Sequence, residues 1–180
     1  MDVKYAFKSY SGHWFYQYSG IDCFTRLAYG TIYELQSNFE SVLFAKTLTK
    51  FYPFKIQGIQ TDNHSTFTNR YTGYPKSTDP ESARLHALDL TCQGLGVEHS
   101  LIDKGKPAQN GRVERFHRTC EEEFYQRESL TNLNQARKKF RDFLHYYNYE
   151  REHQGIEELT PFEKLQTIPK FNNIQKLKIN

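Results

Sequence analysis

Cysteine, methionine and tryptophan are scarce in this chain of 180 residues, which has three cysteines, one methionine and one tryptophan. Cys23, Cys92 and Cys120 form no CxxC pair, and their number is odd. This pattern argues against a disulfide scaffold and favours free thiols in a reducing compartment. The seven histidines lack the spacing of zinc ligands, so a structural zinc site is not expected. No apolar run reaches the length of a membrane span, so no transmembrane helix is predicted.

A large net charge is also absent. The chain carries a net charge of +3 and has a pI of about 8.6, so it is not a strongly basic nucleic-acid binder. Its basic residues are unevenly placed, however, and many of them gather in the second half: Arg112, Arg115, Arg118, Arg127, Arg137, Lys138, Lys139, Arg141 and Arg151. They are either solvated helix faces or a phosphate-binding surface. The 13 tyrosines and 14 phenylalanines are interpreted mainly as core residues of one domain.

Hydrophobic periodicity predicts an α/β fold. The predicted strands cover residues 1–7, 14–22, 27–33, 56–61 and 97–101, and the first three form an antiparallel meander. The predicted helices cover residues 37–50, 83–95, 108–127 and 132–149, and Thr160 caps a short helix that begins at Pro161. The predicted order is three strands, one helix, two strands and then further helices. This order indicates a mixed α/β layer architecture.

Three carboxylates have positions that could bring them together. Glu114 lies in a predicted helix beside the apolar stripe, Asp62 ends a predicted strand, and Asp2 lies in the first strand. A single glutamate on a helix is usually a solvated surface residue. Three carboxylates at one sheet edge, however, would repel one another unless cations lay between them. Hard divalent ions suit such oxygen ligands, and two ions about 4 Å apart can promote phosphoryl displacement.

Several short motifs occur in a specific order along the chain. They are Asp2-Val3-Lys4, Ile21-Asp22 with Thr25-Arg26, Thr61-Asp62-Asn63, Gly105-Lys106-Pro107, Asn110-Gly111-Arg112-Val113-Glu114-Arg115-Phe116-His117, Tyr147-Asn148 with Arg151 and His153, and Thr160-Pro161. From Asp2 to about Leu165 the chain resembles the catalytic core of the Asp-Asp-Glu transposases and retroviral-type integrases. It is most similar to the transposases of bacterial insertion sequences.

The resemblance implies a ribonuclease-H-like fold, with a mixed five-stranded sheet and helices on both faces. It implies that Asp2, Asp62 and Glu114 are the catalytic and metal-binding residues. The implied cofactor is Mg²⁺ or Mn²⁺, with two ions when DNA is bound. The implied domain covers residues 1–168, and residues 169–180 are predicted to be a loose polar tail. The segment between Asp62 and Glu114 is longer than in retroviral integrases, and we expect the extra residues between Thr68 and Ser82.

The resemblance also implies partners. These are DNA, as transposon ends and target, and further copies of the chain in an active homodimer or higher oligomer, with no membrane and a location in the bacterial cytoplasm. Candidate DNA contacts are Asn110, Arg112, Arg115 and Arg118, although Asn110 could instead cap its helix. Candidates for hydrogen bonding beside the triad are Asn63, His64 and His117.

Four features depart from the family pattern. His64 stands where the family has glycine, so we expect either backbone strain at positive φ or a ring that bonds a triad carboxylate. Glu152 stands where the family has proline, and Glu121 where its helix is often basic. Asp2 directly follows Met1, with no upstream helix-turn-helix segment, so we expect a fragment.

Three functions remain open at this stage. The leading one is metal-dependent hydrolysis of a phosphodiester at a transposon end, followed by DNA strand transfer. The second is a catalytically impaired transposase remnant that binds DNA or another subunit. The third is a simple metal-dependent nuclease of the same fold. Strand-transfer products separate the first from the third, and metal binding separates both from the second.

Overall fold

A computed structural model describes residues 1–70 and 85–179. Most of the loop predicted between Thr68 and Ser82 lies outside these residues. The described strands are β1 (Asp2–Lys8), β2 (Trp14–Ile21), β3 (Ala28–Tyr33), β4 (Gly58–Thr61) and β5 (Glu98–Leu101). The described helices are α1 (Asn38–Phe51), α2 (Ala87–Leu95), α3 (Gly111–Cys120), α4 (Leu133–Tyr149) and α5 (Pro161–Gln166).

The described strands form two sheets. β1, β2 and β3 form an antiparallel sheet in that order, with Asp2 opposite Ser19 and Ser19 opposite Gly30. β4 and β5 pair in parallel. A hydrogen bond connects the sheets, because the amino group of Met1 donates to the carbonyl oxygen of Gln60 at 2.7 Å. The predicted order of the first three strands is confirmed, whereas the predicted five-stranded sheet is seen as three strands plus two.

Helices cover both faces of the three-stranded sheet. On β3, Tyr29 packs in a cluster with Phe44 of α1. Its neighbour Ala28 packs in a second cluster with Phe140 of α4. Successive residues of a strand point to opposite faces, so these clusters lie on the two sides of the sheet. A β-carbon on Gly30 would lie 2.9 Å from the Phe140 ring, which explains why glycine is needed where α4 approaches β3.

The helix that carries Glu114 is less regular than its sequence predicts. One α-helix was expected over residues 108–127, but the chain forms a 3₁₀ turn at Pro107–Asn110, then α3, then a π-helical turn at Glu121–Tyr125. A π-helical turn adds a residue to the helical repeat and so rotates the side chains that follow it. Glu121 contacts Lys4 of β1 at 2.6 Å, and Glu123 contacts Arg151 at 2.7 Å. These two ion pairs fix the rotated turn against neighbouring elements.

The pair of Glu123 and Arg151 gives a pH-dependent prediction. A two-pronged hydrogen bond from the guanidinium holds the pKa of Glu123 below its ordinary value of 4.5. The stability that it contributes is therefore complete above pH 4.5 and is lost as the pH falls through the lowered pKa. We expect Glu123→Gln to lower the free energy of unfolding by about 1–3 kcal/mol at pH 7. At pH 2 to 3 the difference from the native chain should shrink, as measured by urea unfolding followed by circular dichroism.

The matched control is Glu122→Gln, which removes an exposed carboxylate from the same π-helical turn. This change should alter the free energy of unfolding by less than about 0.5 kcal/mol. Equal losses in both variants would show that net charge, and not the ion pair, determines the pH dependence.

The C-terminal residues are less loose than predicted. Apolar side chains of this segment pack against the core cluster beside α1 and α5: Phe171, Ile174, Leu177 and Ile179. The backbone N–H of Leu177 donates to the Tyr149 hydroxyl at 2.8 Å. The error arose because these apolar residues are spread among polar ones and show no helical or strand period. Among the described residues, no helix is long and apolar enough to cross a bilayer.

Candidate active site

Asp2 is buried at the start of β1, with 8% of its surface exposed. One carboxylate oxygen accepts the backbone N–H of Val3 at 2.8 Å. The other accepts the side-chain amide of Asn110 at 3.2 Å, just before the start of α3. The side chain is therefore oriented from two elements that are far apart in sequence.

The charges of the other two triad candidates act on Asp2. Burial is the largest cause that raises the pKa of Asp2, to about 6, and the negative charge of Asp62 is the next. The charge of Glu114 raises it further, whereas the Val3 N–H and the amino group of Met1 oppose the rise. The structure therefore brings Asp2, Asp62 and Glu114 into one electrostatic neighbourhood.

Asp62 follows the last residue of β4 and is partly buried. Its carboxylate accepts the backbone N–H of His64 at 3.0 Å, as in an Asx turn. The preceding Thr61 is fully buried. The strand and this turn together determine the position and direction of the Asp62 side chain.

Glu114 lies in the first turn of α3 and is exposed. Val113 and Phe116 are buried and fix the rotation of the helix about its axis. Asn110, one turn earlier, holds Asp2. Glu114 is therefore exposed to solvent on α3, one turn after the residue that holds Asp2.

The carboxylates do not form a preassembled metal site. Among residues 1–70 and 85–179, no three His, Cys, Asp or Glu side chains are grouped closely enough to hold an ion. The donor set nevertheless fits a hard divalent cation, because it offers carboxylate oxygens whose mutual repulsion a cation would relieve.

His117 lies beside Asp2 as an uncharged ring. Its Nδ1 is 3.6 Å from the Asp2 carboxylate, which is too long for a hydrogen bond. Burial is the main cause that lowers its pKa to about 3, and the positive charges of Lys4 and the Met1 amino group lower it further. Its contact with Asp2 near neutral pH is therefore a packing contact and not an ion pair.

Both alternatives for His64 are wrong. Among the described residues, the non-glycine residues with positive φ are Arg26, Glu157 and Glu158, so His64 has an ordinary negative φ. Its ring nitrogen contacts the hydroxyl of Thr66 at 2.9 Å and not a triad carboxylate. The residue acts on Asp62 through its backbone N–H, which any residue except proline could supply. A tight turn does not require glycine here because the Asp62 side chain itself completes the turn.

Asn63 stabilises the end of β4 rather than the Asp62 side chain. Its amide donates to the carbonyl of Ile102, just after β5, at 3.1 Å. It therefore connects the ends of the two parallel strands.

The candidate DNA contacts separate into one buried amide and three exposed cations. Asn110 is 7% exposed and makes no side-chain cap, so the capping alternative is wrong. Arg112, Arg115 and Arg118 are all exposed on α3. The sequence signal for Asn110 was its place one turn before Glu114, but its bond to Asp2 could not be read from that spacing.

A cavity of about 630 Å³ borders this site, and sequence analysis did not predict it. It lies between the β2–β3 turn, the end of α1, β4 and the start of α3, and Met1, Asn110 and Arg112 line its site-facing side. Its walls come from six separate segments of the chain, so no local pattern could have predicted it.

Comparison with known proteins places this geometry in context. Residues 95–161 match the family model of the integrase core domain. The candidate integrase ORF3 of Spiroplasma virus SpV1-C74 is 29% identical over 174 residues, which cover 93% of this chain and 47% of that protein. The uncharacterized 31.7 kDa protein of insertion element IS407 from Burkholderia multivorans is 36% identical over 98 residues, which cover 52% of this chain and 35% of that protein. The chain thus spans less than half the length of these relatives.

Solved structures share its fold. The catalytic core domain of BIV integrase has a TM-score of 0.63 at 17% identity, covering 96% of this chain and 97% of that one. The HTLV-2 integrase catalytic core, in a trimeric form with magnesium, has a TM-score of 0.59 at 14% identity, covering 90% of this chain and 92% of that one. At these identities the likeness shows the fold alone, so the chain has the α/β fold of these cores.

Proposed function

We propose that this chain is the catalytic core of a DNA integrase or transposase, because residues 95–161 match the family model of the integrase core domain and the chain is similar to an integrase of Spiroplasma virus SpV1-C74. In this proposal it hydrolyses a phosphodiester at a DNA end and joins the freed 3′ hydroxyl to a target strand. The observation that carries the proposal is the electrostatic neighbourhood of Asp2, Asp62 and Glu114, which come from β1, the end of β4 and α3.

The three carboxylates are the proposed ligands of divalent ions. Asp2 with Asp62 would hold one Mg²⁺ or Mn²⁺, and Asp2 with Glu114 a second when DNA is bound. Such ions activate the attacking oxygen and stabilise the leaving oxygen. The Asn110 amide and the Val3 N–H hold Asp2, and the His64 N–H holds Asp62. These hydrogen bonds restrict the carboxylates before substrate arrives, which lowers the entropic cost of assembling the site.

The two sheets are proposed to act as one five-stranded sheet, with β1 beside β4. The bond from the Met1 amino group to the Gln60 carbonyl supports this arrangement. It would hold Asp2 and Asp62 at adjacent strand positions in the same rigid layer, which suits a site that must keep its geometry during phosphoryl transfer.

DNA is the proposed substrate, and α3 the proposed contact surface. Arg112, Arg115 and Arg118 are exposed on the helix that carries Glu114, so phosphates bound there would lie near the carboxylates. We propose a homodimer or higher oligomer for the active form. Two similar solved structures are described as assemblies: the HTLV-2 core as a trimeric form, and a simian T-cell lymphotropic virus structure, with a TM-score of 0.65 at 14% identity, as an intasome.

The strand-transfer proposal is tested by incubating the chain with end-labelled duplex DNA and Mn²⁺ or Mg²⁺. Products longer than the labelled strand, seen on a denaturing gel and absent with EDTA, are the expected result. Nicked products alone would indicate a metal-dependent nuclease. Binding of Mn²⁺ is followed in parallel by electron paramagnetic resonance, and its absence both with and without DNA would favour the non-catalytic remnant.

The DNA contacts give a second prediction. Arg118→Ala should weaken binding equally for all DNA sequences, because a phosphate contact carries no base information. The slope of log affinity against log salt should become shallower by roughly one unit. Fluorescence anisotropy with two unrelated duplexes at several salt concentrations measures both effects.

Lys138→Ala is the matched control, since it removes one exposed positive charge from α4. Its salt slope should equal that of the unchanged chain. If Arg118→Ala weakened binding to only one of the two duplexes, this result would contradict the proposal that Arg118 contacts phosphate.

A further inference from the structure

One edge of β4 is open. Among residues 1–70 and 85–179, β4 pairs with β5 alone, in parallel. The carbonyl of Thr61 accepts the N–H of Ile102, just after β5, at 3.0 Å. Because the backbone groups of successive strand residues point to opposite edges, those of Gly58 and Gln60 point away from β5. Both residues are exposed, so this edge offers accessible donors and acceptors for hydrogen bonds.

The end of β2 has an open edge as well. The pairing of β1 with β2 starts at Ser19, so within the described part of the chain Gly20 and Ile21 pair with β3 alone. The N–H of Asp22 donates to the carbonyl of Leu27 at 2.9 Å, on the β3 side. By the same alternation, the N–H and C=O of Ile21 point to the other edge. That edge borders the cavity of about 630 Å³.

The cavity has the surroundings of a position within a β-sheet. The open edge of β2 lines one side of it and the open edge of β4 the other. Leu48 and Tyr52 of α1 and Val113 of α3 also line it, and these two helices cover opposite faces of the three-stranded sheet. Met1 closes one end in line with β1, and its amino group donates to the Gln60 carbonyl as the N–H of a strand residue would.

An extended peptide backbone matches these walls. It presents N–H and C=O groups to both sides and rises by about 3.3 Å per residue, which is the repeat of the two edges. A purely apolar ligand would cover Leu48 and Tyr52 but would leave the edge groups of Ile21 and Gln60 without partners. A helix could not serve the edges either, because its backbone groups bond to one another.

We propose that the cavity binds an extended segment of another polypeptide as a β-strand between β2 and β4. The added strand runs antiparallel to β2 and in line with β1, with its C-terminal end at Met1. About four residues fill the space, because residues 57–60 border it on the β4 side. The bound segment continues the pairing of β1 with β2 and joins the two described sheets. Backbone groups make these bonds, so the proposal is independent of the proposed function.

The side chains of the bound segment alternate between the two faces. Met1 packs in the cluster that contains α1, so the second residue before it in the same line also faces α1. That residue meets Leu48 and Tyr52, which favour an apolar side chain. The matching probe is a peptide of four residues, capped at both ends, in which valine and threonine alternate and the last residue is threonine. Its second valine then faces α1.

The proposal is tested by hydrogen exchange, followed by nuclear magnetic resonance on the ¹⁵N-labelled chain without metal or DNA. At saturating peptide, the amides of Ile21 and Gln60 should exchange at least about tenfold more slowly, because both donate to the added strand. The amide of Thr61 faces β5 and should change much less. Unchanged exchange at Ile21 and Gln60 would overturn the proposal.

The matched control peptide carries an N-methyl group on its second valine. This change keeps every side chain but removes the N–H that would donate to the carbonyl of Gly58, so the peptide should protect neither Ile21 nor Gln60. Equal protection by both peptides would refute strand addition. If single-stranded DNA protected these amides and the valine–threonine peptide did not, the cavity would be a nucleic-acid site and the proposal would be wrong.

Gln60→Pro removes the N–H that faces the cavity and leaves the pairing of β4 with β5 intact, since proline is tolerated where its nitrogen faces away from the ladder. This variant should not bind the peptide, whereas Gln60→Thr keeps the N–H and should bind as the native chain does. Native binding by Gln60→Pro would contradict the proposal. If Gln60→Pro does not fold, the N-methylated peptide on the native chain decides. None of these measurements requires catalysis, so absence of strand transfer would refute the proposed function and leave the peptide site standing.

Discussion

Glu114→Gln is expected to reduce strand transfer by at least about 10³-fold, which corresponds to about 4 kcal/mol of transition-state stabilisation. The amide keeps the size of the side chain but removes the charge that would hold a divalent ion. Because Glu114 is exposed, the Glu114→Gln variant should unfold at nearly the same temperature as the native chain. The measurement is the initial rate of formation of joined DNA strands with Mn²⁺, together with the melting curve of each variant.

Glu122→Gln provides the comparison, since it makes the same chemical change at an exposed position two turns further along. It should retain the native rate within about twofold, which is less than 0.5 kcal/mol. An equal reduction of the strand-transfer rate in both variants would indicate a general effect of charge on DNA binding. An active Glu114→Gln variant would remove this residue from the triad.

Local patterns predicted most of the regular structure. The α4 helix is amphipathic and starts after Asn132, whose side chain accepts the N–H of Gln135. The α5 helix starts at Pro161 after Thr160, which forms a reciprocal cap with Glu163. These signals are read correctly because the groups that create them lie within one turn of each other.

The α2 helix shows where such signals fail. It begins at Ala87 rather than at residue 83, and residues 83 and 84 lie outside the part of the chain that the structure describes. Its cap is His86, whose ring nitrogen accepts the N–H of Leu88 at 3.1 Å. Histidine is not among the residues preferred at this position, so the cap is visible only in three dimensions.

The candidate site was also only partly predictable from the sequence. Motif order predicted Asp2, Asp62 and Glu114 as the triad, and the charges of Asp62 and Glu114 both act on Asp2. The bond from Asn110 to Asp2 spans 108 positions, and the contact between Thr61 and His99 depends on the pairing of β4 with β5. Such contacts follow from the packing of whole elements and leave no periodic signal in the sequence.

Asn148→Ala is the change for which we expect the largest loss of stability. Asn148 is fully buried on α4, and its amide makes two bonds to Ala28 at the outer edge of β3. Its oxygen accepts the Ala28 N–H at 2.9 Å, and its nitrogen donates to the Ala28 carbonyl at 2.8 Å. The side chain thus substitutes for the neighbouring strand that an edge strand lacks.

Alanine at position 148 would leave both of these backbone groups buried without a partner. Each such group costs about 1–3 kcal/mol, so the free energy of unfolding should fall by about 2–6 kcal/mol, a large share of the 5–15 kcal/mol typical of a domain. Urea unfolding followed by circular dichroism measures this loss. Asn134→Ala, at an exposed position of the same helix, should cost less than about 1 kcal/mol. A similarly small loss in Asn148→Ala would mean that water reaches the edge of β3 and replaces both bonds, and the edge would then not depend on α4 for its hydrogen bonding.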